Sequence, residues 1–162
     1  RLCNQRYEPI RNRIFRSHAW NCLTKRVQLA ADSAAPVVEY STQYTLPSDC
    51  LRVLKVHNGT TDSIASDIDY VVEGRKIKTN QGTVFLVYIA LITDPNEYDT
   101  YLQESIASAL AADIAYAITN NATLAKNYQV TADERLREAR FVDATENSLG
   151  TIESNEFTDA RL

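Results

Sequence analysis

The sequence predicts an α+β protein, a helical bundle with an inserted small antiparallel β-sheet and an extended C-terminal tail. Three observations carry that class. Residues 1–21 and two long segments after residue 94 repeat apolar side chains at helical intervals; residues 25–92 are short β-branched and aromatic runs broken by turn residues; residues 151–162 have no period. With 162 residues the chain is the size of one domain, spanning 1–162, able to bury about two-thirds of its unfolded surface.

In the first helix, expected over about 2–20, Cys3, Tyr7, Ile10 and Ile14 recur at steps of four, three and four, which places them on one stripe. Gln5, Glu8, Asn12 and Arg16 fall on the wet side. Pro9 removes one backbone hydrogen bond and disfavours helical geometry at Glu8, so a kink is expected there. Residues 25–30 then read as a strand, Pro36 marks a loop, and residues 37–44 suit extended chain. Residues 51–56 form a compact apolar strand, followed by turn chemistry at His57-Asn58-Gly59. Residues 69–72 and 75–79 flank Glu73-Gly74, a hairpin link, and Asn80-Gln81-Gly82 leads into the longest apolar run, 83–92. Together these predict a single antiparallel meander over about 25–92.

Asp94 reads as the cap of a helix over 95–119, its carboxylate accepting the amide of Glu97, with Pro95 in the first helical position. The expected inward face is Tyr98, Leu102, Ile106, Leu110, Ile114 and Ala117, flanked by alanines that permit close helix approach. Asn120-Asn121 break that helix. Another is predicted over 122–148, with Leu124, Tyr128, Leu136, Ala139 and Val142 inward and Gly150 in the left-handed position beyond its end. Residues 151–162 are acidic and aperiodic, as an extended tail would be.

Hydrophobic residues at 44% and charged residues at 23% are ordinary for a globular protein, and no apolar run approaches the roughly 20 residues that span a bilayer. The three cysteines, Cys3, Cys22 and Cys50, show no C-x-x-C spacing and are expected to be reduced, mostly buried thiols. The net charge of −4 conceals an asymmetry: residues 1–30 carry +6 and residues 131–162 carry −4. Opposite ends of opposite sign suit copies that meet head to tail. Nine tyrosines and one tryptophan supply amphipathic surface of the kind enriched at interfaces.

Catalytic constellations are not evident. Four glycines leave little room for a phosphate loop, and neither a G-x-S-x-G elbow nor H-E-x-x-H is present. His18 and His57 are the only imidazoles; His18 is expected to be packed and bonded to nearby backbone, His57 exposed in its turn. Asp62, Asp67 and Asp69 lack the glycine and terminal glutamate of a calcium loop. Two N-glycosylation triplets, at Asn58 and Asn121, are expected to be coincidental. The expectation is therefore a non-enzymatic protein with no cofactor and no metal.

The stretch Cys3-Asn4-Gln5, Tyr7, Arg11, His18-x-Trp20-Asn21 resembles the early helix of the tail tubular protein A family, the head-to-tail adaptor or gatekeeper proteins of short-tailed bacteriophages. Three further islands resemble that family in the same order: residues 46–53 (LPSDCLRV), residues 70–75 (YVVEGR) and Thr93-Asp94-Pro95 ahead of an alanine-rich helix. Members usually carry a helical segment before the Cys-Asn-Gln motif, whereas this chain opens at Arg1, so loss of such a segment is expected. The resemblance implies a virion protein forming a ring of twelve copies between portal and tail nozzle, assembled in the host cytoplasm and passing viral DNA without sequence-specific binding. It implies no membrane partner. Arg6, Arg13, Arg16, Glu153, Glu156, Phe157, Asp159 and Arg161 are its candidate subunit or portal contacts. His18, Trp20 and Asn21 are expected to fasten the helix end to the β insertion.

A second reading is a nucleic-acid-binding accessory protein acting through the basic first helix, and a third a small hydrolase using His18 or His57.

Overall fold

The computed structural model describes residues 1–59 and 68–146; residues 60–67 and 147–162, including Asp62, Asp67, Gly150 and the whole predicted tail, lie outside the described residues. The architecture is α+β. Helix α1 (Leu2–Ser17) is followed by a 3-10 turn at Asn21–Leu23 and strands β1 (Thr24–Leu29), β2 (Thr42–Thr45), β3 (Cys50–His57), β4 (Tyr70–Glu73), β5 (Lys76–Thr79) and β6 (Val84–Ala90). A 3-10 turn at Pro95–Glu97 leads to α2 (Thr100–Thr119) and α3 (Ala122–Thr145).

The predicted single meander is instead two three-stranded antiparallel sheets, ordered β1-β6-β3 and β2-β5-β4. The reason lies in β6, whose Val84, Leu86, Tyr88, Ile89 and Ala90 are all buried. Val84, Leu86 and Tyr88 alternate with the half-buried Phe85 and Val87, leaving neither face of β6 open to water, and the strand takes β1 on one edge and β3 on the other instead of pairing with its sequence neighbour β5. Register shifts between Cys50/Arg52 and Val53/Lys55 bend β3 against it.

The β4–β5 link also differs from expectation. Glu73 pairs with Lys76, so the two turn residues are Gly74 and Arg75, with φ of +52° and +63°. Positive φ at both positions is what a tight hairpin turn demands, and glycine supplies only one of them freely. Arg75 is held in this costly geometry by guanidinium bonds to the carbonyl oxygens of Pro47 and Ser48, at 2.6 and 3.3 Å. Residues 37–41 fail as strand: Glu39 has φ of +71°, and Val37 is 97% exposed.

Helix α1 runs through Pro9 without a break in its assignment and ends at Ser17, three residues short of the predicted limit. Asp94 does not start α2. It caps the 3-10 turn, accepting from the Asn96 amide at 2.9 Å, while Asp99 caps α2 by accepting from the Tyr101 amide at 2.8 Å. Asn120, left-handed at φ +50° and ψ +30°, ends α2, and Asn121 caps α3 through the Leu124 amide at 3.0 Å.

Ile10, Ile14, Phe15 and Trp20 from the α1 region meet Leu102 and Ile106 of α2 and the inner faces of both sheets in one core. Phe15 lies edge-on to Tyr98, with ring centroids 5.3 Å apart. Arg11, 5% exposed, runs beneath this cluster with its guanidinium 5.4 Å from the Tyr7 ring centre and 5.9 Å from that of Phe15. Helical spacing did not announce this buried arginine.

Candidate functional site

The end of α1 is fastened to α3 through one carboxylate, and to β3 through Arg16. Asp143, buried near the end of α3, takes the His18 Nε2 on one oxygen at 3.0 Å and the Asn21 backbone amide on the other at 2.9 Å. The Asn21 side-chain amide donates to the Asp143 carbonyl oxygen at 2.7 Å. Trp20, fully buried, donates from Nε1 to the Ile14 carbonyl oxygen at 3.0 Å and meets the His18 ring edge-on. His18 and Asn21 thus bond to α3 where attachment to the β insertion was expected, Trp20 joins the core that includes both sheets, and the Asp143 carboxylate stands where a backbone partner for His18 was expected. A buried carboxylate needs partners for its lone pairs, and His18 and Asn21 supply them on a chain already turning away from the helix. His57 ends β3 instead of sitting in a turn, half-buried and stacked on Phe85 at 5.5 Å. The described residues contain no group of three His, Cys, Asp or Glu side chains able to hold a metal ion, and Asp69 is exposed.

The arginines of α1 separate by role. Arg6 grips Asp113 of α2 through two bonds, Nε to Oδ2 at 2.6 Å and Nη2 to Oδ1 at 2.7 Å, and holds that carboxyl below the usual carboxylate range. Arg16 donates to the Leu51 carbonyl oxygen, and its own carbonyl accepts from Arg52 at 3.0 Å. Arg13 is exposed and lines a cleft of about 290 Å³ between the three helices, with Asp113, Asp133 and Arg140. Within that cleft the buried Arg140 Nε has no hydrogen-bond partner among the described residues. Glu153, Glu156, Phe157, Asp159 and Arg161 lie outside the described residues.

The far end of the α2–α3 hairpin is apolar on more than one side. Tyr116 and Ile118 on α2, with Leu124, Tyr128 and Val130 on α3, are all exposed, Ile118 at 67% and Tyr116 at 56%. This corrects the inward placement of Leu124, Tyr128 and Ala117; the residues of α3 that are buried are Ala132, Ala139 and Asp143. Helical period correctly marked these positions as apolar, but a lone hairpin has nothing there to cover them. Such a surface offers docking area, with rigid aromatic groups of the type that anchor interfaces. No described helix is long and apolar enough to cross a membrane. No protein-family model matches the chain, and no curated protein matches it significantly.

Proposed function

We propose that the chain is a structural virion protein, a head-to-tail adaptor of a short-tailed phage that assembles as a ring between portal and tail nozzle. The observation that carries this reading is the exposed apolar end of the α2–α3 hairpin, which an isolated subunit leaves wet and an assembly would cover. The four ordered sequence islands supply the choice of assembly. In this reading the helices form the ring wall along the DNA channel, the β insertion projects outward, and the C-terminal segment reaches a neighbouring component. The work is binding and conduction, in the virion and beforehand in the host cytoplasm.

The use of Arg6 on Asp113 and of Arg16 on Leu51 favours the adaptor over the nucleic-acid reading, because guanidinium groups bonded within the subunit are less free for phosphate. Mixing the purified protein with a short-tailed-phage portal and imaging the product by electron microscopy tests the proposal. Rings stacked on the portal are expected; dispersed subunits would count against it. A salt titration of DNA binding separates the alternative, which requires affinity that falls steeply with salt.

A further inference from the structure

Three guanidinium groups line one cleft where α1 ends against the sheets, and no carboxylate is paired with them. The cleft, about 350 Å³, holds Arg16, Arg52 and Arg75 beside apolar walls that include Leu46, Val53 and Val72. Each arginine spends part of its five N–H donors on backbone, Arg16 on Leu51, Arg52 on Arg16, and Arg75 on Pro47 and Ser48, which fixes the heads and leaves further donors unspent. Arg16 and Arg75 both act as nearby positive charges on the Cys50 thiol, so two of the heads bear on one point. Among the described residues none of the three forms an ion pair. The acids close to them in sequence are already held, Asp49 by Lys25 at 3.2 Å and by the Tyr88 hydroxyl at 3.1 Å, and Glu73 by Lys78.

The walls select the shape of the occupant. Four consecutive residues, 50–53, line the cleft. Successive side chains of a strand point to opposite faces, so a cleft that touches all four meets β3 along its edge instead of across one face. Val72 belongs to β4, and β3 and β4 are outer strands of their sheets among the described residues. Such edges offer backbone groups to a further extended chain. A chain seated there turns alternate side chains to opposite sides, one set toward the apolar walls and the other toward the guanidinium groups. A phosphodiester backbone would meet the charges and leave the apolar walls wet.

We propose that the cleft receives an extended segment of a partner protein in which acidic residues alternate with apolar ones. Its carboxylates bond to Arg16, Arg52 and Arg75, and its apolar side chains cover Leu46, Val53 and Val72. The guanidinium fork matches a carboxylate with paired N–H donors, and charge-assisted bonds of this kind are the strong ones. The inference goes beyond the adaptor reading and does not rest on it, since the whole cleft belongs to one subunit.

Backbone amide NMR of the full chain tests it, with titration by a short peptide alternating glutamate and valine and by its glutamine counterpart. The glutamate peptide is expected to shift the amides of residues 50–53 and 70–75. It should bind about tenfold or more tightly than the glutamine peptide, the factor that one charged bond supplies. Arg52→Glu should lose that preference and should bind a lysine–valine peptide better than the wild type does. Val72→Glu, at a position 44% exposed that should tolerate charge without unfolding, should weaken the glutamate peptide by a similar factor. Equal binding of the glutamate and glutamine peptides, or a preference that survives both substitutions, would overturn the proposal. Shifts reproduced by free glutamate would make the cleft a small-anion site, and shifts that follow protein concentration before any peptide is added would give it to a second copy; either overturns the proposal equally. So would a DNA oligonucleotide that displaces the glutamate peptide at physiological salt.

Discussion

The ring of His18 and the carboxylate of Asp143 meet at 3.0 Å across 125 residues of sequence, and that contact closes the end of α1 onto the end of α3. Asp143 is 5% exposed and serves Asn21 as well, so its removal leaves two part-buried groups without their partner. Asp143→Ala is expected to cost about 2–4 kcal/mol in urea unfolding, and His18→Ala about 1 kcal/mol, because imidazole retains some access to water. A double-mutant cycle should give a coupling of about 0.5–2 kcal/mol. Strictly additive losses would mean that the bond contributes nothing.

Arg6 and Asp113 tie α1 to α2 by a different logic, at the surface and through charge. The Arg6 guanidinium beside it depresses the Asp113 carboxyl, so in acid the unfolded chain binds this proton before the folded one does. The contribution is present above the ordinary aspartate pKa of about 3.9 and is lost as pH falls through the depressed folded value. Wild type should therefore exceed Asp113→Asn in urea midpoint at neutral pH, with the gap closing below about pH 4. A gap constant down to strong acid would assign the effect to shape instead of charge.

At the alkaline end the relevant groups are Tyr88 and Tyr98, both pushed up to about 12, chiefly by burial. Tyr98 also donates to the Ile92 carbonyl oxygen at 2.8 Å, a bond its ionised form cannot make. Their contribution to stability is whole below the ordinary tyrosine pKa of about 10 and is lost as pH rises toward 12. The tyrosinate absorbance of Tyr88 and Tyr98 should appear only as the fold opens toward pH 12. Tyr98→Phe should flatten that alkaline loss while costing about 1 kcal/mol at neutral pH.

The thiols should react in an order the sequence misjudged. Cys3, expected on the buried stripe, is exposed; Cys22 is half-buried, Cys50 is buried, and burial pushes both of those thiols up. An aromatic disulfide reagent should label Cys3 first, Cys22 more slowly, and Cys50 only on unfolding. Fast labelling of Cys50 would contradict its buried place at the start of β3 beside Ala90 of β6.

Periodicity made α2 legible because Leu102 and Ile106, with Tyr98 just ahead of the helix, face a core that their own chain supplies. It misplaced Leu124 and Tyr128 for the converse reason: spacing reports which residues are apolar, and burial depends on what lies opposite. Sheet order was illegible, because the choice of β6 as a central strand depends on β1 and β3 converging from far along the chain. The His18–Trp20–Asn21 cluster was visible as an anchor, whereas its partner was hidden in a helix whose other acids are exposed.

The exposed hairpin end yields the prediction on which assembly turns. Ile118 and Tyr128 are surface residues in the isolated subunit, so Ile118→Glu/Tyr128→Glu should change subunit stability by less than about 0.5 kcal/mol per site. At an interface the same charges would be stripped of water without partners, a cost of several kcal/mol per site, and oligomers should disperse in sedimentation velocity. Val37→Glu, at a position 97% exposed in the loop before β2, serves as the control and should leave both readouts unchanged. Oligomers that survive the double substitution would remove the hairpin end from the interface. A subunit that unfolds would instead make Ile118 and Tyr128 part of a core, against their exposure.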